Sequence, residues 1–462
     1  MSGIWLNIGC GKKHLSGFVN MDITQPFDKK LDVRKGLSYS DQTVDGVYSE
    51  QFFEHLTQAE GFSFLRECRR VLKPGGRVRI VTGMQPDDES TQPNQREQPF
   101  GQKWELDYKC LKKMAAMSGL KFHQQCIPGQ SEVSEFCDLE RHDDHLLALE
   151  FIKGYRLLEN SAQPLVSILV PSYNPTYFRV CLESALAQTY SHLEIIVSDD
   201  CESSAIQDIV AEYLADHRLH YRKNTPRLGG IENFKHAFNQ ARGDFIKFLN
   251  DDDVLHPACV ERMLDCYRRF PDITMVTSHR QLIDENDAPL PDKFGTHRLA
   301  RQDALLDGNR LATLAILSRV NFLGEPTSVL FRRDDLADTN PDIMSFGGYP
   351  SIRVLCDLAM WLNLLGKGHV MYLNESLSSF RIHPEQRQRD PEVRKMAGAS
   401  WDKLQDGGYR MGYLGMGGWL AVPAYTSTWG KWKADYLSFV NFGILPLAIV
   451  QLLKIKLKQI FS

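Results

Sequence analysis

The stretch GDFIKFLNDDDVLHP, Gly243–Pro257, decides how the larger part of this chain is interpreted. A hydrophobic run, which predicts a buried strand, leads directly into three consecutive carboxylates, Asp251, Asp252 and Asp253. Adjacent acids repel one another unless they are solvated or bind a cation. If the backbone stays extended, Asp251 and Asp253 project to one side, and hard oxygen ligands suit Mg²⁺ or Mn²⁺. Such an ion completes its shell with phosphates, so the triplet predicts a metal and diphosphate site; a solvated acidic turn is the alternative.

Two strands upstream also end in polar residues. VSILVPSYN, Val166–Asn174, runs into a Pro-Ser-Tyr-Asn turn, and LEIIVSDD, Leu193–Asp200, follows a helix-like segment. In open α/β sheets, ligands bind outside the carboxyl ends of the strands. A carboxylate there accepts a hydrogen bond from a pyrimidine ring N–H, and a tyrosine stacks on the base; an Asp pair that only closes a strand is the alternative. The candidates for nucleoside binding are Tyr173, Asp199 and Asp200.

In this order and spacing, PSYN, the VSDD strand end and FLNDDDVL resemble family 2 glycosyltransferases of the GT-A fold, over most of residues 164–390. The resemblance implies a nucleotide-sugar donor, with a UDP-sugar expected first, a divalent cation (Mg²⁺ or Mn²⁺), and inversion at the anomeric carbon. The segment Asn224–Arg242, which includes Gly229 and Asn233, resembles the stretch that passes the pyrophosphate. By position, the resemblance assigns the donor to Pro171, Tyr173, Asn174, Asp199, Asp200, Arg227, Asp251 and Asp252, and the metal to Asp251, Asp253 and His383.

Transfer with inversion also needs a carboxylate well separated from the metal, because the acceptor hydroxyl loses its proton as it attacks. CDLAMWLNLLGKG, Cys356–Gly368, resembles the family's helix start that bears this base, which makes Asp357 the candidate. Trp361 lies four residues further on and would share a helix face with Asp357, in a position to line the acceptor pocket. A helix acid favoured by the dipole, with a core tryptophan, is the alternative. Glu325, in a Gly-Glu-Pro-Thr segment, is expected on the acceptor side.

SSFRIHPEQ, Ser378–Gln386, resembles the family's Tyr-Arg-x-His ending. An extended segment there places Arg381 and His383 on the same side, beside the diphosphate. A structural histidine is an equally good interpretation of His383.

The N-terminal part has a different pattern. Strand-like Ile4–Ile8 ends in a Gly-Cys-Gly turn, and the next strand ends in Asp22, where a carboxylate accepts hydrogen bonds from ribose hydroxyls. With VDGVYSEQFFEHL and a Lys-Pro-Gly-Gly turn, residues 1–155 resemble class I S-adenosylmethionine-dependent methyltransferases, except that the helix after the glycine turn is nearly absent. The resemblance assigns S-adenosylmethionine to Gly9, Gly11, Asp22, Asp32 and Glu50, and the methyl-acceptor side to Glu54 and His55.

The expected architecture is α/β, with two Rossmann-like domains and a C-terminal helical tail. The expected limits are 1–158 for the methyltransferase-like domain, 159–164 for a linker, 165–400 for the glycosyltransferase domain and 401–462 for the tail. An uncharged run at 437–453 followed by spaced lysines favours equally an in-plane membrane helix and a helix packed on the protein. The net charge of −4 gives no basic field for nucleic acid. The scattered cysteines and the absence of a signal-like N-terminus predict a cytoplasmic protein without disulfides or structural zinc.

These features predict a bifunctional enzyme of surface-polysaccharide assembly, which transfers a sugar to a glycan or lipid-linked acceptor and methylates a sugar. Two alternatives stay open: a glycosyltransferase with a methyltransferase-like scaffold, and a catalytically inactive glycan-binding protein.

Overall fold

The computed structural model divides into two compact units, one formed by Met1–Tyr155 with Gly408–Gly418, and one by Arg156–Gly407 with Trp419–Ser462. The structure describes residues 3–23, 27–83, 108–128, 130–139, 146–153, 158, 162–270, 273–337, 342–350, 352–386, 390–414, 423–428 and 431–436, with the last two ranges described by their backbone.

The first unit is built on a seven-stranded sheet in the order β3-β2-β1-β4-β5-β7-β6. Strands β1 to β5 are parallel to one another, whereas β7 runs antiparallel to both β5 and β6. This sheet follows from short runs of alternating or continuous apolar residues separated by turns. Its elements are β1 Trp5–Ile8, β2 Val19–Asp22, β3 Lys29–Lys30, β4 Val44–Glu50, α1 Gln58–Val71, β5 Leu72–Gly83, α2 Tyr108–Met117, β6 Lys121–Cys126 and β7 Leu146–Ile152.

The second unit contains a larger mixed sheet with the main order β10-β9-β8-β11-β16-β13-β17-β15-β18-β19. The first four of these strands are parallel, and β16 is antiparallel to both β11 and β13. Its strands are β8 Val166–Ser172, β9 Leu193–Asp199, β10 Leu219–Lys223, β11 Phe245–Phe248, β12 Val254–Leu255, β13 Ile273–Ile283, β14 Pro289–Leu290, β15 Ala304–Asp307, β16 Val329–Arg332, β17 His369–Arg381, β18 Pro423–Thr428 and β19 Lys431–Tyr436. Its helices are α3 Phe178–Leu186, α4 Ala205–Ala211, α5 Gly230–Gln240, α6 Cys259–Arg269, α7 Gly308–Ser318, α8 Arg333–Ala337, α9 Cys356–Leu365 and α10 Pro391–Arg410.

The parallel strands of the second unit position the site. Every residue of β8 and β9 is buried, because helices cover both faces of a parallel sheet. The carboxyl ends of β8, β9 and β11 therefore open at one edge, and the polar residues that follow them meet there. A core of residues such as Ile168, Ile195 and Met263 holds this edge in place.

The C-terminal region differs in part from the helical tail that the sequence predicts. The helix α10 is present, but the strands β18 and β19 follow it and extend the sheet through β15. The uncharged run at 437–453 lies outside the described residues. In the part of the chain that the structure describes, none of the helices is both long and apolar enough to cross a membrane.

Candidate functional site

A pocket of about 810 Å³ opens at the carboxyl edge of the second sheet. Asp251 ties two of its walls together, since its Oδ2 accepts hydrogen bonds from the backbone N–H groups of Tyr173 at 2.6 Å and Asn174 at 2.8 Å. Burial, and then the charge of Asp252, raise the pKa of Asp251 to about 7. The pocket lining contains Pro171, Tyr173, Asn174, Asp200, Arg227, Gly230, Asn233, Phe234, Asn250, Asp251, Asp252, His383, Pro384, Glu385, Gln386 and Asp390.

The acidic triplet is a turn and not an extended segment. The N–H of Asp253 donates to the carbonyl of Asn250 at 3.1 Å, as in a β-turn. The prediction that Asp251 and Asp253 share one open side is therefore wrong.

Asp253 is fully buried behind the pocket. Its Oδ2 accepts hydrogen bonds from Thr327 at 2.6 Å and Asn250 at 3.0 Å, and its Oδ1 accepts one from the Arg381 N–H at 3.1 Å. Burial and the charge of Asp252 raise the pKa of Asp253, against the effect of these donors. Asp253 therefore stabilises the turn through three internal partners. Since its carboxylate is buried and already bonded, the structure does not support its predicted role as a metal ligand.

Asp252 is the member of the triplet that meets His383 at the pocket wall. The distance from Asp252 Oδ2 to His383 Nε2 is 3.1 Å. His383 is buried, and its Nδ1 has no hydrogen-bond partner among the described residues. Within those residues, no group of three or more His, Cys, Asp or Glu side chains is arranged to hold a metal ion. The protein thus offers one carboxylate and one imidazole, which fit a cation that takes its remaining ligands from phosphate oxygens and water.

Arg381 supports this pair from behind. Its Nε donates to the Asp252 carbonyl at 2.8 Å, and its guanidinium pairs with Asp287 at 2.7 Å. Arg381 is only 1% exposed, so it stabilises the backbone at Asp252. The sequence predicted that Arg381 lies beside the diphosphate, and its burial does not support that contact.

The two acids at the end of β9 have different environments. Asp199 is fully buried and bonded to Cys201 N, Tyr221 Oη and Lys223 Nζ, at 2.8, 2.8 and 3.1 Å, and it does not line the pocket. Its predicted contact with the nucleoside is therefore corrected to a structural role. Asp200 does line the pocket, where it accepts hydrogen bonds from the N–H groups of Leu228 and Gly229 at 2.9 and 2.7 Å.

The loop that Asp200 holds brings Arg227 over the ring of Tyr173, with 4.9 Å between the guanidinium carbon and the ring centroid. Tyr173 is 59% exposed, so its ring edge and the cation remain open to a ligand. Asn233 is buried, and its side-chain amide donates hydrogen bonds to the carbonyls of Ser172 and Ser198 at 3.3 and 3.0 Å.

Asp357 stands in the first turn of α9, half-buried. Burial is the main reason that its pKa is raised to about 6, and the charge of Glu325 adds to the effect. Asn321 Nδ2 donates to Asp357 Oδ2 at 2.7 Å. The residue that precedes the helix, Leu355, has a φ of 71°, which is a strained conformation for leucine.

A turn at Gly324–Ser328 connects the two acidic centres. Thr327 donates to Asp253, as described above, and the indole N–H of Trp361 donates to the Gly324 carbonyl at 3.0 Å. Trp361 is fully buried, so the prediction that it lines the acceptor pocket is wrong; it supports this turn instead. Glu325, also on the turn, pairs with Arg280 at 2.5 Å. Asn321 and Arg280 carry no motif in the sequence, and only the fold brings them to the site; Thr327 belongs to the Gly-Glu-Pro-Thr segment, but its bond to Asp253 has no signal in the sequence.

In the first unit, the glycine turn adopts the conformation that a close ligand requires. Gly11 has a φ of 50°, its N–H donates to Asp22 Oδ2 at 2.8 Å, and a Cβ at this position would meet no atom within 4 Å. Open space therefore lies in front of the turn. Gly9, in contrast, is covered by Phe52, 2.4 Å from the position of a Cβ.

The other acids of this unit already have partners. The carboxylate of Asp32 is bound by Arg34 at 2.7 and 2.9 Å and caps a short helix, and its assignment to S-adenosylmethionine stays a prediction. Glu50 pairs with Lys13, and Glu54 accepts a hydrogen bond from Thr82 at 3.0 Å. His55 is exposed next to Glu54.

Comparison with known proteins identifies both parts. Residues 167–337 match the family model described as glycosyl transferase family 2, and residues 6–80 match one described as a methyltransferase domain. Over 47% of its length, the chain is 32% identical to an uncharacterized protein of Mycobacterium tuberculosis, of which the match spans 67%. The chain belongs to glycosyl transferase family 2. The predicted resemblances and the two-domain α/β class are thereby confirmed.

Two further likenesses of this family 2 protein are informative to different degrees. The putative teichuronic acid biosynthesis glycosyltransferase TuaG of Bacillus subtilis is 29% identical over 48% of this chain and 80% of that protein. The structure of Staphylococcus aureus TarS 1–349 in complex with UDP-GlcNAc has a TM-score of 0.39 and 16% identity, over 52% of this chain and 70% of that one. A likeness at that score carries no information on substrates. Since both curated relatives match about half of this chain, they do not define the activity of the whole protein.

Proposed function

We propose that residues 165–400 transfer a sugar, with inversion, from a nucleotide-sugar donor to a glycan acceptor, and that the N-terminal domain methylates a sugar with S-adenosylmethionine. The observation that carries the first part is the pairing of Asp252 with His383 in a nucleotide-sized pocket, connected through one turn to a second carboxylate, Asp357. The TuaG likeness favours a surface polysaccharide as the product.

In this proposal the donor occupies the 810 Å³ pocket. Tyr173 and Arg227 border the nucleoside, and a UDP-sugar is the first donor to test. Asp252 and His383 would hold Mg²⁺ or Mn²⁺, which neutralises the leaving diphosphate when bound. Asp251 fixes the Tyr173–Asn174 backbone at the pocket wall.

Asp357 takes the proton of the acceptor hydroxyl. With a pKa of about 6, its carboxyl is ionised near neutral pH and still basic enough to accept a proton. Asn321 orients the carboxylate through one oxygen. Inversion follows if the acceptor attacks from the side of Asp357 while the diphosphate leaves toward Asp252.

The direct test is hydrolysis and transfer with a panel of nucleotide sugars in the presence of Mn²⁺. We expect turnover of at least one UDP-sugar, and its loss on removal of the metal with a chelator. If no nucleotide sugar is hydrolysed or bound, the glycosyltransferase proposal fails and a catalytically inactive glycan-binding protein takes its place.

One observation favours a second candidate for the N-terminal domain. Asp32 and Glu50, two of the acids expected to face the cofactor, are held in ion pairs by Arg34 and Lys13. A scaffold without methyl transfer is consistent with this arrangement, and cofactor binding distinguishes the two.

A further inference from the structure

A second pocket, of about 520 Å³, lies beside the proposed base. Its wall includes Asn321, which donates to Asp357, and Glu325, whose charge raises the pKa of Asp357. An acceptor sugar in this pocket would therefore lie within reach of the residues that surround the base.

The two pockets of the domain differ in the sign of their charge. The donor pocket is lined by five carboxylates and one arginine. The second pocket is lined by three cations, Arg280, Lys293 and Arg319, and one carboxylate, Glu325. The ion pair between Arg280 and Glu325 cancels one positive charge, and Asp402 pairs with Arg319 from outside the lining. The ammonium of Lys293 has no ion pair with the described residues, so it is the positive charge that remains for a ligand.

The rim of this pocket is a rigid turn. The N–H of Lys293 donates to Thr296 Oγ1 at 2.9 Å, and the N–H of Thr296 donates back to the Lys293 carbonyl at 2.9 Å. Buried Arg280 fixes the same turn by donating to the Gly295 carbonyl at 3.0 Å. Phe294, at the tip, is 54% exposed. An exposed aromatic ring on this turn offers an apolar face on which a sugar ring can stack.

Two polar atoms of the lining residues have no partner among the described residues. They are the amide oxygen of Asn321 and the Nε of Arg319, and both are buried. Buried polar groups are nearly always hydrogen-bonded, so an acceptor and a donor without partners in one pocket indicate a polar ligand or ordered water. A sugar with hydroxyl groups supplies both kinds of partner.

We propose that this pocket binds the acceptor sugar and selects one that carries a negative charge, with Phe294 stacking on its ring and Lys293 binding its carboxylate or phosphate. This inference rests on the proposed glycosyltransferase function. The inference specifies the chemical class of the acceptor. The ammonium of Lys293 at the rim would strengthen the binding of a negatively charged sugar but not that of a neutral one.

The test uses the full chain and matched glycosides that differ in one group. Binding of methyl β-D-glucuronide, methyl β-D-glucoside and the glucoside 6-phosphate is measured by ligand-observed NMR in the presence of UDP and Mn²⁺. We expect at least one charged probe to bind roughly three- to tenfold more tightly than the neutral one, less so at high salt. Preference for the glucuronide assigns a carboxylate, and preference for the phosphate assigns a phosphoryl group.

Three variants separate the contributions. Lys293→Gln should bring the charged-to-neutral ratio close to one, and Phe294→Ala should weaken all probes by similar factors. Lys395→Gln, on exposed α10 and outside the pocket, is the matched control and should keep the wild-type ratio.

Equal binding of charged and neutral probes, an unchanged ratio in Lys293→Gln, or no binding of any probe overturns the inference. These outcomes are distinct from failure of the proposed function, which is measured without an acceptor: if the wild-type protein hydrolyses a nucleotide sugar, the glycosyltransferase proposal stands even when the acceptor inference falls.

Discussion

Three adjacent aspartates have three different environments in this protein. Asp251 bonds two backbone N–H groups, Asp252 faces His383, and Asp253 is enclosed by Thr327, Asn250 and Arg381. The same side chain is thus a wall support, a candidate metal ligand and a buried anchor. The difference arises because the β-turn sends consecutive side chains in different directions.

Replacing Asp252 should affect metal-dependent nucleotide binding without unfolding the protein. We expect Asp252→Ala to weaken the binding of UDP in the presence of Mn²⁺ roughly 10- to 100-fold, because a candidate ligand is lost. Isothermal titration with and without Mn²⁺ measures this, and Asp265→Ala, on α6 outside the pocket, is the control. A variant that binds UDP and Mn²⁺ as the wild type does would remove Asp252 from the site.

Replacing Asp253 should act on stability instead. Asp253→Ala leaves the buried donors of Thr327 and Arg381 without partners, at a cost of about 1–3 kcal/mol each. Thermal denaturation should therefore show a clear fall in the melting temperature. Stability equal to that of the wild type would contradict the anchoring role.

The pH dependence of transfer should report Asp357. A base must be ionised to accept a proton, so the rate should rise with pH through about 6, the pKa to which burial raises this carboxyl. Asp357→Asn should lower the transfer rate by about 10²- to 10⁴-fold, and the rise of the rate with pH near 6 should disappear. If Asp357→Asn keeps both the wild-type rate and the rise with pH, Asp357 is not the base.

At the scale of elements, the turn at Gly324–Ser328 joins the donor side to the acceptor side. Thr327 bonds the buried Asp253, Trp361 of α9 bonds Gly324, and the buried ammonium of Lys247 on β11 bonds the Thr327 carbonyl at 2.5 Å. The φ of Gly324 is 112°, and a Cβ there would lie 2.0 Å from Ser328 Oγ. The turn therefore has little freedom to move.

Gly324→Ala should destabilise the protein by about 1–3 kcal/mol and reduce transfer, since it strains the backbone that carries Glu325 and Thr327. Gly398→Ala is the matched control: Gly398 lies on α10 with no atom within 4 Å of a Cβ, so alanine should stabilise that helix by about 0.5–1 kcal/mol. Denaturant unfolding and transfer rates test both variants. Equal behaviour of the two would show that the turn tolerates rearrangement.

At the scale of the whole molecule, each unit has a sheet of its own and a candidate site at strand ends. In the first unit, Gly11 and Asp22 follow the neighbouring parallel strands β1 and β2, which is where a Rossmann-like sheet binds a nucleoside. Only cofactor binding decides whether this unit is an enzyme or a scaffold.

We expect the wild-type protein to bind S-adenosylmethionine and Gly11→Ala to bind it about tenfold more weakly, because the added methyl group fills the space in front of the turn. Gly75→Ala is the control, since Gly75 also has a positive φ, of 79°, and open space around a Cβ. Calorimetry with the cofactor measures all three proteins. No binding by the wild type would establish the scaffold alternative.

Much of this arrangement follows from local sequence. The apolar runs at Val166–Ser172 and Leu193–Asp199 form the buried strands that their composition predicts, and the polar residues after them, Tyr173, Asn174 and Asp200, lie at one edge because parallel strands end together. The C-terminal region is less predictable. The sequence predicts a helical tail for residues 401–462, whereas Pro423–Thr428 forms a strand that pairs with β15, more than a hundred residues earlier in the chain. Strand pairing of that separation has no local signal.

By itself, the sequence determined the α/β class, the glycine turn after β1 and the helix α9 whose first turn carries Asp357, because runs of apolar residues, glycines and helix starts are local patterns. Only the tertiary structure decided which aspartate faces the pocket and which is an anchor. Thr327 and Arg381, which enclose Asp253, lie 74 and 128 residues away from it. Burial and hydrogen bonding by such distant partners assign the roles of identical side chains, and only the folded chain brings those partners together.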